Sequence, residues 1–262
     1  MELLKSATKS HYETRVSGLG KYSRAMFRNN ANRNNVRYMG RGGIRSAEDV
    51  NSAMGRVYGH MALAIIVSMT VSYFVGTTPE LRRFFFTGIA KWMVIFAPLV
   101  AILGVGYVLG AEPSMGTAQL CLHGFAALMG LSFAMFVAAF AMGSIVSSFM
   151  GAVVLFGVMS VYGYYTKQRL DSMGSVVTVG LISICIASIV NLFIGSSSMQ
   201  VVISALAVVI FLGFTAYDTQ KIREQISVDS SHVAEVRGAL DLYMDFINMF
   251  LSLLRLFGDR NQ

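Results

Sequence analysis

From residue 57 to the C-terminus, long apolar runs alternate with short polar interruptions. Seven runs fall at residues 57–76, 89–109, 118–140, 144–165, 175–195, 199–218 and 238–257. Each is close to the roughly 20 apolar residues that an α-helix needs to cross a bilayer. Two stretches make the pattern firm, because residues 113–166 and 172–217 contain no Asp, Glu, Lys or Arg, and each is long enough for two helices. The expected fold is an all-α integral membrane protein with seven transmembrane helices. Pro98 falls within the second run, where loss of a backbone donor predicts a kink. Gly143, Ser147 and Gly151, four residues apart, predict close approach of a neighbouring helix.

Composition agrees with the pattern. The 262 residues are 55% hydrophobic and only 13% charged, too apolar for an ordinary soluble domain of this size. Cys121 and Cys185 both lie inside apolar runs, where a small apolar packing role is expected rather than a disulfide or a metal site. The first apolar run begins after about 56 polar and basic residues and is long enough to remain as an anchor, so no cleavable signal peptide is expected.

Charge supplies an orientation. Residues 1–56 hold 11 of the 21 Lys and Arg residues. With that end in the cytoplasm, sixteen fall on the cytoplasmic side and five (Arg82, Arg83, Lys91, Arg255, Arg260) on the other, as the positive-inside bias requires. Residues 1–46, including RNNANRNNVRYMGRGG, form a basic leader too poor in apolar side chains to build a core, and disorder is the expectation there. The leader reads as a solvated tail that helps set orientation, with docking to anionic lipid or a partner as the alternative. Residues 47–262 form the transmembrane domain. Nucleic acid is not an expected partner, since no recognition motif is present.

Two acids carry the candidate chemistry. Asp218 closes the sixth apolar run and Asp245 lies within the seventh, about 10 Å along the helix from Gly238 at 1.5 Å per residue. Carboxylates in such places are costly and face a partner or a water-filled path. In the positive-inside topology both approach the membrane from one side, and a helical hairpin would bring them together. Two carboxylates at close range tend to share one proton, so the pair would clamp when protonated and repel when ionised, while offering the oxygen ligands that calcium prefers. Asp241 shares a helix face with Asp245, and an ion pair with Arg237, four residues earlier, explains it. Asn248, Tyr217, Lys221, Arg223 and Arg237 surround the acids in sequence and are candidate supporting residues. His60 and His123 read as hydrogen-bonded packing residues, and Asn191 as bonded to a neighbouring helix.

No glycine-rich phosphate loop, zinc-binding pair or nucleophile elbow occurs, and no enzymatic activity is expected. An intramembrane aspartyl protease would need a second motif around Asp245 that Tyr243-Met244 does not supply.

The segments FGVMSVYGYYTKQRLDSMG (156–174), FLGFTAYDTQKI (211–222), ALDLYMDFINMFLSLLRLFG (239–258) and RVYGHMALAIIVS (56–68) resemble the Bax-inhibitor-1 family of seven-helix membrane proteins, bacterial branch. The resemblance runs from about Arg45 to the C-terminus, and it implies that six of the helices surround a central seventh. It implies a pH-sensitive calcium leak in the bacterial inner membrane, with the family's gating acids falling on Asp218 and Asp245, calcium as the transported ion held only transiently, and no cofactor. It also implies links to stress response and suppression of cell death. A second implied function is regulation without ion transport, through binding of a membrane-bound protease or another partner. Some bacterial relatives place an arginine between the second and third helices. This chain reads GAEPSMG there, so Lys221, Arg223 or Arg237 would take its place.

Overall fold

The computed structural model describes residues 45–261, and the basic leader up to residue 44 lies outside the described residues. Eight helices follow one another: α1 (Ala47–Thr77), α2 (Pro79–Phe86), α3 (Ala90–Gly110), α4 (Met115–Ala139), α5 (Met142–Tyr165), α6 (Asp171–Ile194), α7 (Ser197–Val228) and α8 (His232–Phe257). Six of them, α1 and α3 to α7, are long and apolar enough to cross a membrane. The seventh predicted span does form a helix, α8, but Asp241, Asp245 and Arg255 interrupt its apolar run, so it falls short of that standard.

Burial identifies the centre. In α8, 16 of 26 residues are buried, against three of 21 in α3 and three of 24 in α6. Helices α1, α4, α5 and α7 pack directly on α8, while α3 leans chiefly on α4 and α6 on α7 as an outer tier. Aromatic side chains lock the contact with α5, where Phe149 and Phe156 meet Phe246 edge to face at 5.4 and 5.7 Å.

Helix boundaries depart from the apolar runs where polar residues continue a helix. Ser46 caps α1 through a reciprocal pair with Asp49, so the helix begins ten residues before the apolar run at Val57. Arg45 and Ser46, at the edge of the leader drawn from sequence, are thus in contact with the bundle. Helix α7 runs on through Lys221 and Arg223 to Val228, and Asp218 lies ten residues inside it instead of at its end. The short α2 was not foreseen. Its Pro79 start, Arg82 and Arg83, and a run of three phenylalanines make it amphipathic.

Glycine sets the spacing where it is needed. A Cβ on Gly163 of α5 would collide with the backbone of Ala216 in α7, and one on Gly238 of α8 would meet Ile222 of α7 at 2.7 Å. The expected glycine stripe on α5 is weaker: Gly151 faces Leu253 of α8, whereas nothing lies near Gly143. The C-terminal strand of chain folds back, with Ala141 N donating to Asp259 O and Asn261 N to Ala139 O, both at 2.9 Å. That pairing fixes the end of α8 against the α4–α5 turn.

Candidate functional site

The α7–α8 hairpin turns through residues 229–231, and the Ser231 hydroxyl caps α8 by accepting from Ala234 N. Two successive turns of α8 then face α7, with Asp241 partly buried and Asp245 buried, and Asp218 answers them from α7. Asp245 is close enough to interact by charge with Asp218, Asp241 and Lys221, and Asp218 with Asp241 and Lys221. Lys221 Nζ stands 3.7 Å from Asp218 Oδ1 and also over the Tyr217 ring. Asp245 Oδ2 is buried and has no hydrogen-bond partner among the described residues.

Three acids therefore share one half-open cation. That is one negative charge cluster more crowded than a simple pair, and its unpartnered oxygen is the group that a proton or a passing cation would satisfy. No group of three or more His, Cys, Asp or Glu is arranged to hold a metal among the described residues.

The other candidates have separate duties. Arg237 does not pair with Asp241 within salt-bridge distance. It reaches away to donate to Leu109 O at 2.8 Å, in the last turn of α3, adding to the weaker backbone bond from Glu112 N at 3.3 Å. Arg223 lies over the Tyr164 ring and donates to Tyr164 O, closing the end of α5. Of the three cations that sequence offered as stand-ins for the relatives' arginine, only Lys221 contacts an acid of the cluster. Asn248 donates to Met244 O within its own helix, and Tyr217 packs against Gly174 of α6. Gln220, beside the acids in sequence, accepts from Leu170 N and donates to Gln168 O, so it pins the α5–α6 loop to α7. His123 bonds to Gln119 O one turn earlier. Asn191 accepts from Ser196 N, the cap of α7.

Near the same end of the bundle lies a group that sequence reading passed over. Glu235 of α8 is fully buried and accepts from Arg56 Nε and Nη2, both at 2.7 Å, and from Arg45 Nη2 at 3.1 Å. His232 Nδ1 lies 3.5 Å from it. A signal existed: Glu235 occupies the same seven-residue register as Leu242 and Met249, two fully buried core positions. Lower down, Tyr243 hydroxyl meets Ser68 Oγ at 2.6 Å, and that serine's single proton has both Ala64 O and Ala126 O within reach, tying α8 to α1 and α4.

A cavity of 1130 Å³ opens between the start of α1 and the end of α5, with Asn51, Tyr58, Tyr164, Lys167 and Arg223 in its walls. Its inner wall includes Ser160, which meets Tyr58 hydroxyl at 2.5 Å and Thr219 Oγ1 at 3.1 Å. Thr219 follows Asp218 in the sequence of α7, so this bond links the cavity wall to the helix that carries the acid.

Comparison with known proteins matches residues 50–262 to the family described as inhibitor of apoptosis-promoting Bax1. The inner membrane protein YbhL of Escherichia coli K12 is 34% identical over 226 residues, covering 83% of this chain and 95% of that protein. An uncharacterized protein of Rickettsia prowazekii is 35% identical over 218 residues, covering 81% of this chain and 92% of its own length. One from Deinococcus radiodurans is 32% identical over 221 residues, covering 83% and 94%. The chain belongs to the Bax inhibitor family of membrane proteins.

Proposed function

We propose that this Bax inhibitor family member is a pH-responsive leak for calcium ions, in which Asp218 and Asp245 share a proton and Asp241 adds to their field. The observation that carries the reading is Asp245 Oδ2, buried without a hydrogen-bond partner among the described residues and within charge range of two further acids. An ionised carboxylate in that position is costly, so a proton or a hard cation that reaches it lowers the energy of the site. One cation, Lys221, offsets part of the negative charge, and at 3.7 Å from Asp218 it leaves Asp245 the less compensated acid. Calcium in this reading is cargo, coordinated in passing. The approach from one face is by way of the cavity walled by Ser160, which bonds Thr219 beside Asp218 on α7. The Lys and Arg bias makes that face cytoplasmic, in a bacterial inner membrane, with the N-terminus inside.

The test is calcium entry into proteoliposomes loaded with an indicator, across about pH 5 to 8. Asp245→Asn and Asp218→Asn are each expected to flatten the pH dependence, because an amide neither gives up nor accepts the shared proton. Flux that keeps its native pH profile in Asp245→Asn, with the variant folded, refutes the assignment.

A further inference from the structure

At the end of the bundle away from the acid cluster, α1 and α5 part, and a groove of 270 Å³ opens between them. Ile247 and Phe250 of α8 form its floor, with Met69 of α1, Phe136 of α4, and Val146 and Phe149 of α5 as walls. Met69 and Val146 are 46% and 55% exposed on the outer surface of the bundle, so the groove opens sideways. Along α1 it extends from Ile65 to Tyr73, about 12 Å at 1.5 Å per residue. For a helix bundle in a membrane, the fluid outside that opening is lipid hydrocarbon, and a void without atoms forfeits dispersion contacts on every wall.

A charge lies beside the apolar groove. Arg255 follows the lining residue Leu254, and its guanidinium lies 5.6 Å over the ring of Phe136, itself a wall of the groove. Arg255 is exposed and has no ion-pair partner among the described residues. An apolar slot that ends at an unpaired guanidinium has the polarity of one phospholipid: hydrocarbon along the walls and phosphate at the end, where arginine binds two oxygens at once.

We infer that this groove is a binding site for an anionic phospholipid, with one acyl chain lying between α1 and α5 over α8 and the headgroup phosphate paired with Arg255. The site is independent of the acid cluster and of any ion it passes.

Native mass spectrometry of the full chain in detergent tests this, using phosphatidylglycerol and phosphatidylcholine with matched acyl chains. The native protein should retain phosphatidylglycerol over phosphatidylcholine by about tenfold, because both offer a phosphate to Arg255 but the choline ammonium of phosphatidylcholine offsets its charge. Arg255→Gln should remove that preference, while Arg260→Gln, whose guanidinium sits over Phe140 instead, should keep it. Val146→Trp, at an exposed wall position, should fill the groove and lower retention of both lipids; a thermal melt checks that each variant is folded. Equal retention of the two lipids by the native protein overturns the proposal. So does a preference that survives Arg255→Gln, one lost equally in Arg260→Gln, or retention unchanged in folded Val146→Trp.

Discussion

Replacing Glu235 with leucine is the sharpest probe of how α8 is held. The carboxylate is fully buried and accepts three hydrogen bonds from two arginines on the other side of the α1–α8 seam. Leucine removes all three and leaves the guanidiniums behind, and breaking one partner of a buried ion pair costs about 3–5 kcal/mol. The two arginines do not suffer equally. Arg56 is 44% exposed and can turn to solvent, whereas Arg45 is only 11% exposed and keeps a single other bond, to Ser230 O. The lower end of the range applies, about 3 kcal/mol. For a domain of this size that is a fall of about 6–12 °C in Tm, read by circular dichroism in detergent at neutral pH. The geometry also fixes a ranking. Arg56→Met strips Glu235 of its two shortest bonds, while Arg45→Met strips it of one longer bond and leaves the bidentate pair intact. The expected order of damage is Glu235→Leu, then Arg56→Met, then Arg45→Met at about 1.5 kcal/mol. Arg45→Met melting below Arg56→Met, or Glu235→Leu melting with the native protein, refutes the account.

Two further outcomes follow from packing and hydrogen bonding. Tyr243→Phe removes one contact while Ser68 retains both backbone acceptors, so the same melt should register a loss of only about 1 kcal/mol. Gly163→Val drives a side chain into the backbone of Ala216, which cannot give way, and should cost about 3 kcal/mol. Gly143→Val, with open space around it, should stay within about 0.5 kcal/mol of native, and similar melts for the two glycine variants would contradict the close α5–α7 approach.

The helical membrane architecture was legible because hydrophobic runs of spanning length separated by charges have few other readings. The acids were legible for the same reason: Asp245 is conspicuous against LYMDFINMF in a way that no soluble sequence would make it. What sequence could not assign was the division of labour among neighbouring cations. Lys221, Arg223 and Arg237 are equivalent by position along the chain, yet they face an acid, a tyrosine of α5 and a carbonyl of α3 respectively. Direction around a helix decides this, and direction depends on which neighbours the helix meets. Glu235 was missed for a related reason. It lies in a polar stretch that resembles a loop, and only the discovery that α8 begins at His232 places it on the buried side. The helix ends moved because polar residues extend α1 and α7 beyond the hydrocarbon span, and hydropathy is blind to helix outside the bilayer.

Tyr243, which ties α8 to α1, and the acids that carry the charge of α8 occupy opposite faces, and this gives the tie a bearing on the site. Tyr243 lies two residues from both Asp241 and Asp245, which at 3.6 residues per turn is about 160° around the helix from each. While the Tyr243 hydroxyl is bonded to Ser68 on α1, the two acids must face away from α1, toward Asp218 and Lys221 on α7. Glu235 adds a second fixed point about 12 Å along the axis and about 80° around it from Tyr243, and anchors at two heights and two azimuths keep the helix from rolling. Repulsion among ionised acids therefore cannot be relieved by rotation of α8. It has to act on the separation of α7 from α8, the seam where Gly238 brings Ile222 closest. Under the proton-sharing function proposed above, a change of charge in the cluster would act on the α7–α8 spacing, and that seam is where a proton-controlled path would open.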